Sequence, residues 1–263
     1  AHKINRIDFL IGQMWAHYYS IETLRVIREK GVPIINISMD DRLPIHWSTQ
    51  NSQRMGSVGL RDGVDMVLTT ASETCEWYET EKIPSMFWPL ASAPQLFSTE
   101  KGQTKDIDVL FIGNRYGIRG KIVDYLIKNN ISVNCYGNGW ANGYVNAEKN
   151  INLSKRAKII LGVGTVGYAS DVYTLKLRDF DALMTGALYI THRNSDLVKL
   201  FTEGHHIEYY TEKKELLRKI KYYLSNQDER IKIGKQGKDL ASKTHNWDHR
   251  LRETFVKLNL MSI

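Results

Sequence analysis

One stretch of the chain, residues 173–193, combines a short helix, a glycine and a buried strand, and it places the strongest constraint on the fold. Apolar residues recur at helical spacing up to Met184, and Gly186 is a typical helix terminator. Ala187 to Ile190 then form a continuous apolar run. A helix that leads directly into a buried strand is typical of a parallel sheet with helices on both faces, so we predict an α/β protein.

The same stretch predicts a polar margin at the start of its helix. If Leu177 faces the core, helical spacing brings Phe180 and Met184 to the same side. Arg178 and Asp181, three residues apart, then lie along the edge of that face. The pattern therefore places a cation and a carboxylate on one rim, either as part of a binding site or as a plain surface ion pair.

Strand and helix patterns alternate through the rest of the chain, which extends the α/β prediction to its whole length. Apolar strand patterns occupy residues 8–12, 33–38, 63–70, 84–90, 107–112, 132–137, 158–164 and 208–210. Helical patterns occupy residues 21–30, 72–80, 118–128, 195–201, 212–224, 228–243 and 247–258.

A polar, breaker-rich segment, Ser98 to Asp106, is the best domain boundary in the sequence. It separates a predicted Rossmann-like domain at residues 1–97 from a second one at residues 105–245, followed by a terminal helical segment at residues 246–263. The first domain has fewer strand patterns than a full Rossmann domain, so we expect its beginning to be missing from this chain.

The turn Gly113-Asn114-Arg115 links a strand to a helix. This geometry brings backbone amides and a helix N-terminus towards a phosphate, and Arg115 adds a cation that can form two parallel hydrogen bonds. The glycine spacing matches neither the dinucleotide-binding fingerprint nor the P-loop, which disfavours NAD binding and ATP cleavage. A purely structural turn is the alternative.

Composition limits the partners and the compartment. The formal net charge of +7 favours anionic partners such as nucleoside diphosphates, anionic lipid surfaces or nucleic acid. The two cysteines, Cys75 and Cys135, lack metal-ligand spacing and fit a reducing compartment. With no membrane-spanning run or signal peptide in the sequence, we expect a cytoplasmic protein, with peripheral contact at the inner face of the membrane compatible with its charge.

The segment Lys176-x-Arg178-x-Phe180-Asp181, with the following glycine and strand, resembles the donor-binding segment of CgeB-like glycosyltransferases. The similarity extends back to the turn at residues 113–115 and forward through Thr244-His245-Asn-Trp247, about the C-terminal two thirds of the chain. The resemblance implies two Rossmann-like domains facing a cleft, the GT-B architecture. It also implies that Asp181 binds the ribose hydroxyls of the donor and that the last helix crosses back to the first domain.

This resemblance implies transfer of a sugar from a nucleoside diphosphate sugar to a glycan, lipid-linked or protein acceptor, with no bound metal, no cofactor and no nucleic acid partner. The donor-binding set is then Gly113, Asn114, Arg115, Lys176, Arg178 and Asp181. The cations would neutralise the leaving diphosphate. Two departures from the retaining families, Tyr173 in place of a glutamate and aspartate rather than glutamate at 181, leave the stereochemical outcome open.

The acceptor-activating base should come from the first domain, and Asp40 is our candidate. Asp41, His17 and His46 are the alternatives, since general-base catalysis requires hydrogen-bond reach to the acceptor hydroxyl. Adjacent aspartates also permit a metal or a loop role, but no further ligand cluster accompanies them. The four histidines at positions 205, 206, 245 and 249 do not form a metal-binding pattern.

Two further functions fit the same pattern. A sugar-nucleotide 2-epimerase would act on the donor with no acceptor present, and a non-enzymatic module would only hold a nucleotide sugar. A response only to free sugars, and not to nucleoside diphosphates, would favour the non-enzymatic module. Product release with and without acceptor would distinguish the transferase from the epimerase.

Overall fold

The computed structural model describes residues 7–97 and 104–260 and divides the chain into two compact units, Ala1–Pro89 and Leu90–Ile263. The division falls earlier than the predicted boundary at residues 98–106. Residues 98–103 of that predicted boundary, and the terminal residues 1–6 and 261–263 of the predicted outer segments, lie outside the described residues.

The first unit is built on a four-stranded parallel sheet with the strand order β1-β2-β5-β6. A two-stranded antiparallel hairpin, β3 and β4, and two 3₁₀ helices were not predicted. The strands are β1 Leu10–Gly12, β2 Ile34–Ser38, β3 Thr49–Gln50, β4 Gln53–Arg54, β5 Met66–Thr69 and β6 Ser85–Phe87. The helices are α1 Ile21–Glu29 and α2 Thr74–Thr80, with 3₁₀ turns at Pro44–Trp47 and Val58–Gly63.

Local chemistry explains the first helix of this unit. The side chain of Ser20 caps α1 by accepting a hydrogen bond from the backbone N–H of Thr23, as serine commonly does at an N-cap. Leu24 on the inner face of α1 packs into a core with Ile34 and Val67, which come from the two central strands. Burial of these apolar side chains supplies the main driving force for the unit.

The second unit contains a five-stranded parallel sheet with the strand order β11-β10-β9-β7-β8. Helices cover it on both faces, and the predicted α/β class with parallel sheets is confirmed. The strands are β7 Ile107–Ile112, β8 Val133–Tyr136, β9 Ala157–Leu161, β10 Leu188–His192 and β11 Glu208–Tyr210. The helices are α3 Arg119–Lys128, α4 Ala147–Arg156, α5 Arg178–Met184, α6 Leu197–Leu200, α7 Lys213–Ser225, α8 Gln227–Thr244 and α9 Trp247–Lys257, with a 3₁₀ turn at Pro94–Phe97.

The strand order creates a topological switch point between β7 and β9. From β7 the chain crosses to β8 on one side, and later strands are added on the other side, through β9, β10 and β11. In open α/β sheets, ligands bind outside the carboxyl ends of the strands at such a point. The residues that follow Ile112 and Leu161 therefore lie at the position where a ligand is expected.

Helix α5 follows the predicted segment with one correction. Phe180 and Met184 are buried as expected, but Leu177 is 46% exposed and does not face the core. The helix begins at Arg178, so Leu177 is its N-cap and is not part of its buried face. Gly186 adopts φ +68, which ends the helix as predicted.

Helix α4 was not predicted. Its ten residues are mostly polar, and only Leu153 and Ser154 are buried, so few apolar residues mark it in the sequence. Asn146 caps it by accepting a hydrogen bond from the backbone N–H of Lys149 at 2.9 Å. Among the described residues, no helix combines the length and apolar character needed to cross a bilayer.

Candidate functional site

Arg178 joins the two strand ends that flank the switch point. Its Nη1 donates a hydrogen bond to the carbonyl oxygen of Ile112, the last residue of β7, at 2.7 Å. Its Nη2 donates to the carbonyl oxygen of Val163, just beyond β9, at 3.2 Å. These bonds fix the guanidinium at the sheet edge where the topology predicts a ligand.

A second guanidinium, that of Arg119, lies beside Arg178. The Nη1 atoms of Arg178 and Arg119 lie 3.1 and 3.4 Å from the point that a Cβ on Gly113 would occupy. Gly113 also has φ +154, so this position requires glycine on both conformational and steric grounds. Arg119 is 6% exposed, lies over the ring of Tyr116 at 4.0 Å and donates to the carbonyl oxygen of Asn114 at 3.1 Å.

Sequence reasoning missed Arg119, although one signal was present. Arg119 is the first residue of α3, and a cation in the first turn of a helix opposes the helix dipole. A buried arginine in this position is unfavourable unless another group compensates it, so its placement indicates a function.

The two arginines form a strongly electropositive site. Burial, and then the neighbouring charge of Arg178, lower the pKa of Arg119. Within residues 7–97 and 104–260, neither guanidinium forms an ion pair with a carboxylate, and the buried Nε atom of each has no hydrogen-bond partner. A bound anion would relieve the repulsion and accept hydrogen bonds from these donors.

The predicted turn at Gly113 is held by neighbouring loops. Trp140 Nε1 donates to the carbonyl oxygen of Gly113 at 2.7 Å, and Asn114 Oδ1 accepts from the backbone N–H of Asn138 at 3.0 Å. Arg115 is directed elsewhere: it pairs with Asp124 of α3 at 2.7 Å and lies over Trp140. The contacts thus bring Gly113 and Arg178 together with Arg119, whereas Arg115 is paired with Asp124 of α3.

The loop that carries Lys176 is anchored by a buried pair, Asp179 and Tyr189. Asp179 Oδ2 accepts the backbone N–H of Lys176 at 2.7 Å, and Oδ1 accepts the hydroxyl of Tyr189 at 2.5 Å. Burial raises the pKa of both side chains, while the charges of Arg178 and Lys176 favour the ionised form of Asp179. Asp179 was not among the predicted site residues, and it orders the segment that holds the cations.

Asp181 does not form a surface ion pair with Arg178. Its Oδ1 accepts a hydrogen bond from the Ser92 hydroxyl at 2.6 Å, while Arg178 donates to the two strand-end carbonyls. Arg178 and Asp181 line one pocket of about 180 Å³ with Asn150 and Ser154 of α4. Burial raises the pKa of Asp181 to about 6.

In the first unit, the adjacent aspartates have different environments. Asp41 is fully buried and accepts hydrogen bonds from Ser38 at 2.5 Å and Thr69 at 2.7 Å, and its burial raises its pKa. Asp40 is partly exposed and adopts φ 63. The contacts of Asp41 are those of a structural carboxylate, so Asp40 is the better placed of the two to meet a substrate.

An aromatic cluster of Trp15, His17, Tyr18 and His46 follows the carboxyl end of β1. Trp15 packs against His17 at 5.7 Å and His46 at 5.5 Å, and His17 packs against Tyr18 at 4.1 Å. Burial lowers the pKa of His46. Tyr18 is 73% exposed, and the Trp15 Nε1 has no hydrogen-bond partner among the described residues.

Hydrogen bonds to neighbouring segments hold the loop that carries this aromatic cluster. Asn36, fully buried on β2, accepts the backbone N–H of Met14 at 2.8 Å and donates to its carbonyl oxygen at 3.0 Å. The backbone N–H of Ala16 donates to the carbonyl oxygen of Gly56 at 3.0 Å. A preorganised loop that displays exposed aromatic rings is typical of a recognition surface.

Among the described residues, no group of three or more histidine, cysteine, aspartate or glutamate side chains is arranged to hold a metal ion. Neither Cys75 nor Cys135 forms a disulfide within the described part of the chain. The groups that these residues present are a pair of neighbouring arginines with a nearby carboxylate in the second unit, and an aromatic surface in the first.

Parallel α/β sheets with paired cations at the strand ends of a switch point are typical of nucleotide-binding proteins. A family model described as glycosyl transferase-like matches residues 119–255, just over half of the 263 residues. The chain belongs to this glycosyl transferase-like family and is a glycosyltransferase. No curated protein matches the sequence.

Solved structures share the fold. HepE from Anabaena in complex with UDP-glucose has a TM-score of 0.72 at 12% identity, over 97% of this chain and 79% of its own. A glycosyltransferase from Rickettsia africae has a TM-score of 0.70 at 11% identity, over 99% and 79% of the two chains. Sucrose-phosphate synthase from Thermosynechococcus elongatus has a TM-score of 0.67 at 12% identity, over 98% and 75%. These likenesses concern the fold, and they confirm the predicted GT-B class.

Proposed function

We propose that this glycosyltransferase moves a sugar from a nucleoside diphosphate sugar to a carbohydrate-bearing acceptor, a glycan or lipid-linked glycan, without a bound metal. The observation that carries the proposal is the arginine pair, Arg119 and Arg178, at the switch point of the second sheet. Two neighbouring guanidinium groups, one buried and one partly buried and neither paired with a carboxylate among the described residues, match the charge of a diphosphate.

In the proposed reaction, the bond between the sugar C1 and the donor diphosphate oxygen breaks. A new bond forms between C1 and an acceptor hydroxyl oxygen, and the proton of that hydroxyl passes to a base, for which Asp40 is our candidate. Arg119, Arg178 and Lys176 stabilise the charge that develops on the leaving diphosphate. Asp181 accepts hydrogen bonds from the ribose hydroxyls.

UDP is the first nucleotide to test, because the HepE structures contain UDP-glucose, or UDP with glucose. The motif Lys176-x-Arg178-x-Phe180-Asp181 supports a place in the CgeB-like branch of the family. The presence of only two cysteines, in unrelated segments of the sequence, supports a reducing, cytoplasmic setting. The charge of +7 is compatible with contact with an anionic membrane.

Aromatic residues support a carbohydrate acceptor. Tyrosine, tryptophan and histidine combine a flat apolar face with a polar edge, which suits a sugar ring and its hydroxyls. Trp15, His17, Tyr18 and His46 form such a surface, and Tyr18 projects from it. A protein acceptor would be expected to need a larger apolar surface than this cluster.

A thermal-shift panel of UDP, GDP, dTDP, CMP and free sugars tests the donor site. We expect stabilisation by one nucleoside diphosphate, lost in Arg178→Ala and Asp181→Ala and kept in Arg156→Gln. Arg156 is the matched control because it pairs with Asp106 on the surface of the same unit. Stabilisation by free sugars alone would contradict the proposal.

Product analysis then identifies the reaction. Release of nucleoside diphosphate that depends on an added glycan acceptor supports transfer. Release or epimerisation without acceptor, at the same rate, would support the sugar-nucleotide 2-epimerase alternative. Retention of activity after treatment with EDTA supports the absence of a metal requirement.

A further inference from the structure

Ser92 makes three hydrogen bonds that connect the start of the second unit to Asp181. Its backbone N–H donates to the carbonyl oxygen of His245 at 3.1 Å, and its carbonyl oxygen accepts from the N–H of Trp247 at 3.1 Å. Its hydroxyl donates to Asp181 Oδ1 at 2.6 Å, and the residue is fully buried. The hydroxyl is thus held at a fixed position against one oxygen of the carboxylate.

We infer that Ser92 is a positioning residue for donor binding: its hydroxyl orients the Asp181 carboxylate and keeps it ionised, so that the carboxylate can accept hydrogen bonds from the donor ribose. This inference rests on the proposed role of Asp181. It adds a residue 89 positions earlier in the chain, outside every predicted motif.

The geometry leaves the second oxygen of Asp181 for a ligand. Oδ1 is occupied by Ser92, and within the described part of the chain Oδ2 accepts no hydrogen bond. Asp181 lines the pocket of about 180 Å³, together with Arg178 of the arginine pair. The carboxylate therefore has one oxygen held by the protein and one available in the pocket next to the anion site.

The Ser92 hydroxyl helps to keep the Asp181 carboxylate ionised. Burial favours the neutral form of Asp181 and raises its pKa to about 6, whereas the hydrogen bond from Ser92 favours the ionised form. A protonated carboxyl group presents a hydroxyl in place of an acceptor oxygen. Loss of the Ser92 hydroxyl should therefore raise the pKa further and reduce donor affinity near neutral pH.

The groups around Asp181 leave few other sources of pH dependence. Its own helix presents Arg178, α4 presents the neutral Asn150 and Ser154, and strands β7 and β9 present apolar side chains. From α8, His245 contacts Phe180.

Burial lowers the pKa of that histidine to about 4, with Arg250 as the second cause. His245 is therefore neutral throughout the pH range in which Asp181 titrates. Its Nδ1 lies 2.6 Å from Nη2 of Arg250 of α9, whose ion-pair partner is Glu253.

The test measures UDP affinity of the full chain by calorimetry between pH 5.5 and 8 for wild type, Ser92→Ala, Asp181→Asn and the double variant. Ser154→Ala is the matched control, since Ser154 is also buried and lines the same pocket but donates to Asn150. Alanine at 92 keeps both backbone hydrogen bonds, so the fold should persist. UDP itself titrates in this pH range. Each variant is therefore compared with wild type at the same pH, so that the effect of the ligand's own titration is the same in both.

We expect the affinity of Ser92→Ala to fall below that of wild type as the pH decreases, with its midpoint shifted upward by about one pH unit. The shift should be absent in the Asp181→Asn background and in Ser154→Ala. If the ratio of the wild-type to the Ser92→Ala affinity for UDP does not depend on pH, the inference is wrong and the proposed function stands. Failure of wild type to bind any nucleoside diphosphate would overturn both.

Discussion

Nη1 of Arg178 lies 2.7 Å from the carbonyl oxygen of Ile112, so a side chain from one helix caps the end of β7, which lies next to the central strand β9 of the second sheet. This contact fixes the orientation of the guanidinium before any ligand binds, which lowers the entropic cost of binding an anion.

Neutral replacements of the two arginines should weaken diphosphate binding. We expect Arg119→Gln and Arg178→Gln each to lower UDP affinity at least tenfold, since a charge-assisted hydrogen bond is worth roughly 1.5–3 kcal/mol. Uridine affinity should change little, and Arg156→Gln should behave as wild type. Titration calorimetry with UDP and uridine measures the difference, and unchanged UDP affinity in Arg178→Gln would remove this residue from the site.

Gly162 should be far less tolerant of a side chain than Gly164, two residues later in the same loop. A Cβ at 162 would overlap the hydroxyls of Tyr189 and Thr191, whereas at 164 the nearest atoms lie at 3.7 Å. We expect Gly162→Ala to cost about 1–3 kcal/mol or more of unfolding free energy and Gly164→Ala much less. Urea unfolding compares the two, and equal stabilities would contradict the packing around Tyr189.

His192 should make the protein sensitive to acid. Burial lowers its pKa from 6.5 to about 4. Between these pH values the histidine is protonated in the unfolded chain and neutral in the folded protein. The stability contributed by the neutral ring is complete above pH 6.5 and is lost as the pH falls towards 4, by roughly 3 kcal/mol in total.

His192→Asn keeps an acceptor for the backbone N–H of Gly164, which donates to His192 Nδ1 at 3.2 Å. We therefore expect this variant to lose less stability between pH 6.5 and 4 than wild type. The exposed His249→Asn serves as the control. Identical pH profiles for wild type and His192→Asn would show that the buried histidine does not contribute.

Substitution of Asp41 should affect the stability of the protein, and substitution of Asp40 should affect catalysis. Asp41→Asn should lower the unfolding free energy by about 1–3 kcal/mol, because Asp41 accepts hydrogen bonds from two buried hydroxyls. Asp40→Asn should fold normally, since asparagine tolerates a positive φ, and should keep UDP affinity while transfer slows by roughly 10²-fold or more. Normal transfer in Asp40→Asn would exclude it as the base.

Trp15 should matter for the acceptor and not for the donor. Its ring contacts both His17 and His46 and so supports the exposed aromatic surface. We expect Trp15→Ala to raise the KM for a glycan acceptor about tenfold or more with UDP affinity unchanged. Trp77→Ala, which removes another partly exposed tryptophan of the same unit, is the comparison. Equal acceptor KM values in the two variants would argue against the surface.

Local patterns predicted much of the architecture. Apolar runs identified all five strands of the second sheet, and Gly186 marked the end of α5, because strand and helix periodicity and helix termination depend on neighbouring residues. Helix α4 was not predicted because its sequence contains few apolar residues. Leu177 was assigned to the wrong face because helical spacing does not specify where the first turn begins.

Amino-acid order alone was enough to define a parallel α/β protein with a glycine turn, a cation-rich segment and an acidic residue beside it, since each is a property of a few consecutive residues. Only tertiary folding selected Arg119 as the partner of Arg178 and Ser92 as the partner of Asp181, and turned Arg115 towards Asp124. These pairings depend on the order of strands in the sheet and on how helices pack over it. Long-range packing of this kind leaves no periodic trace in a single sequence.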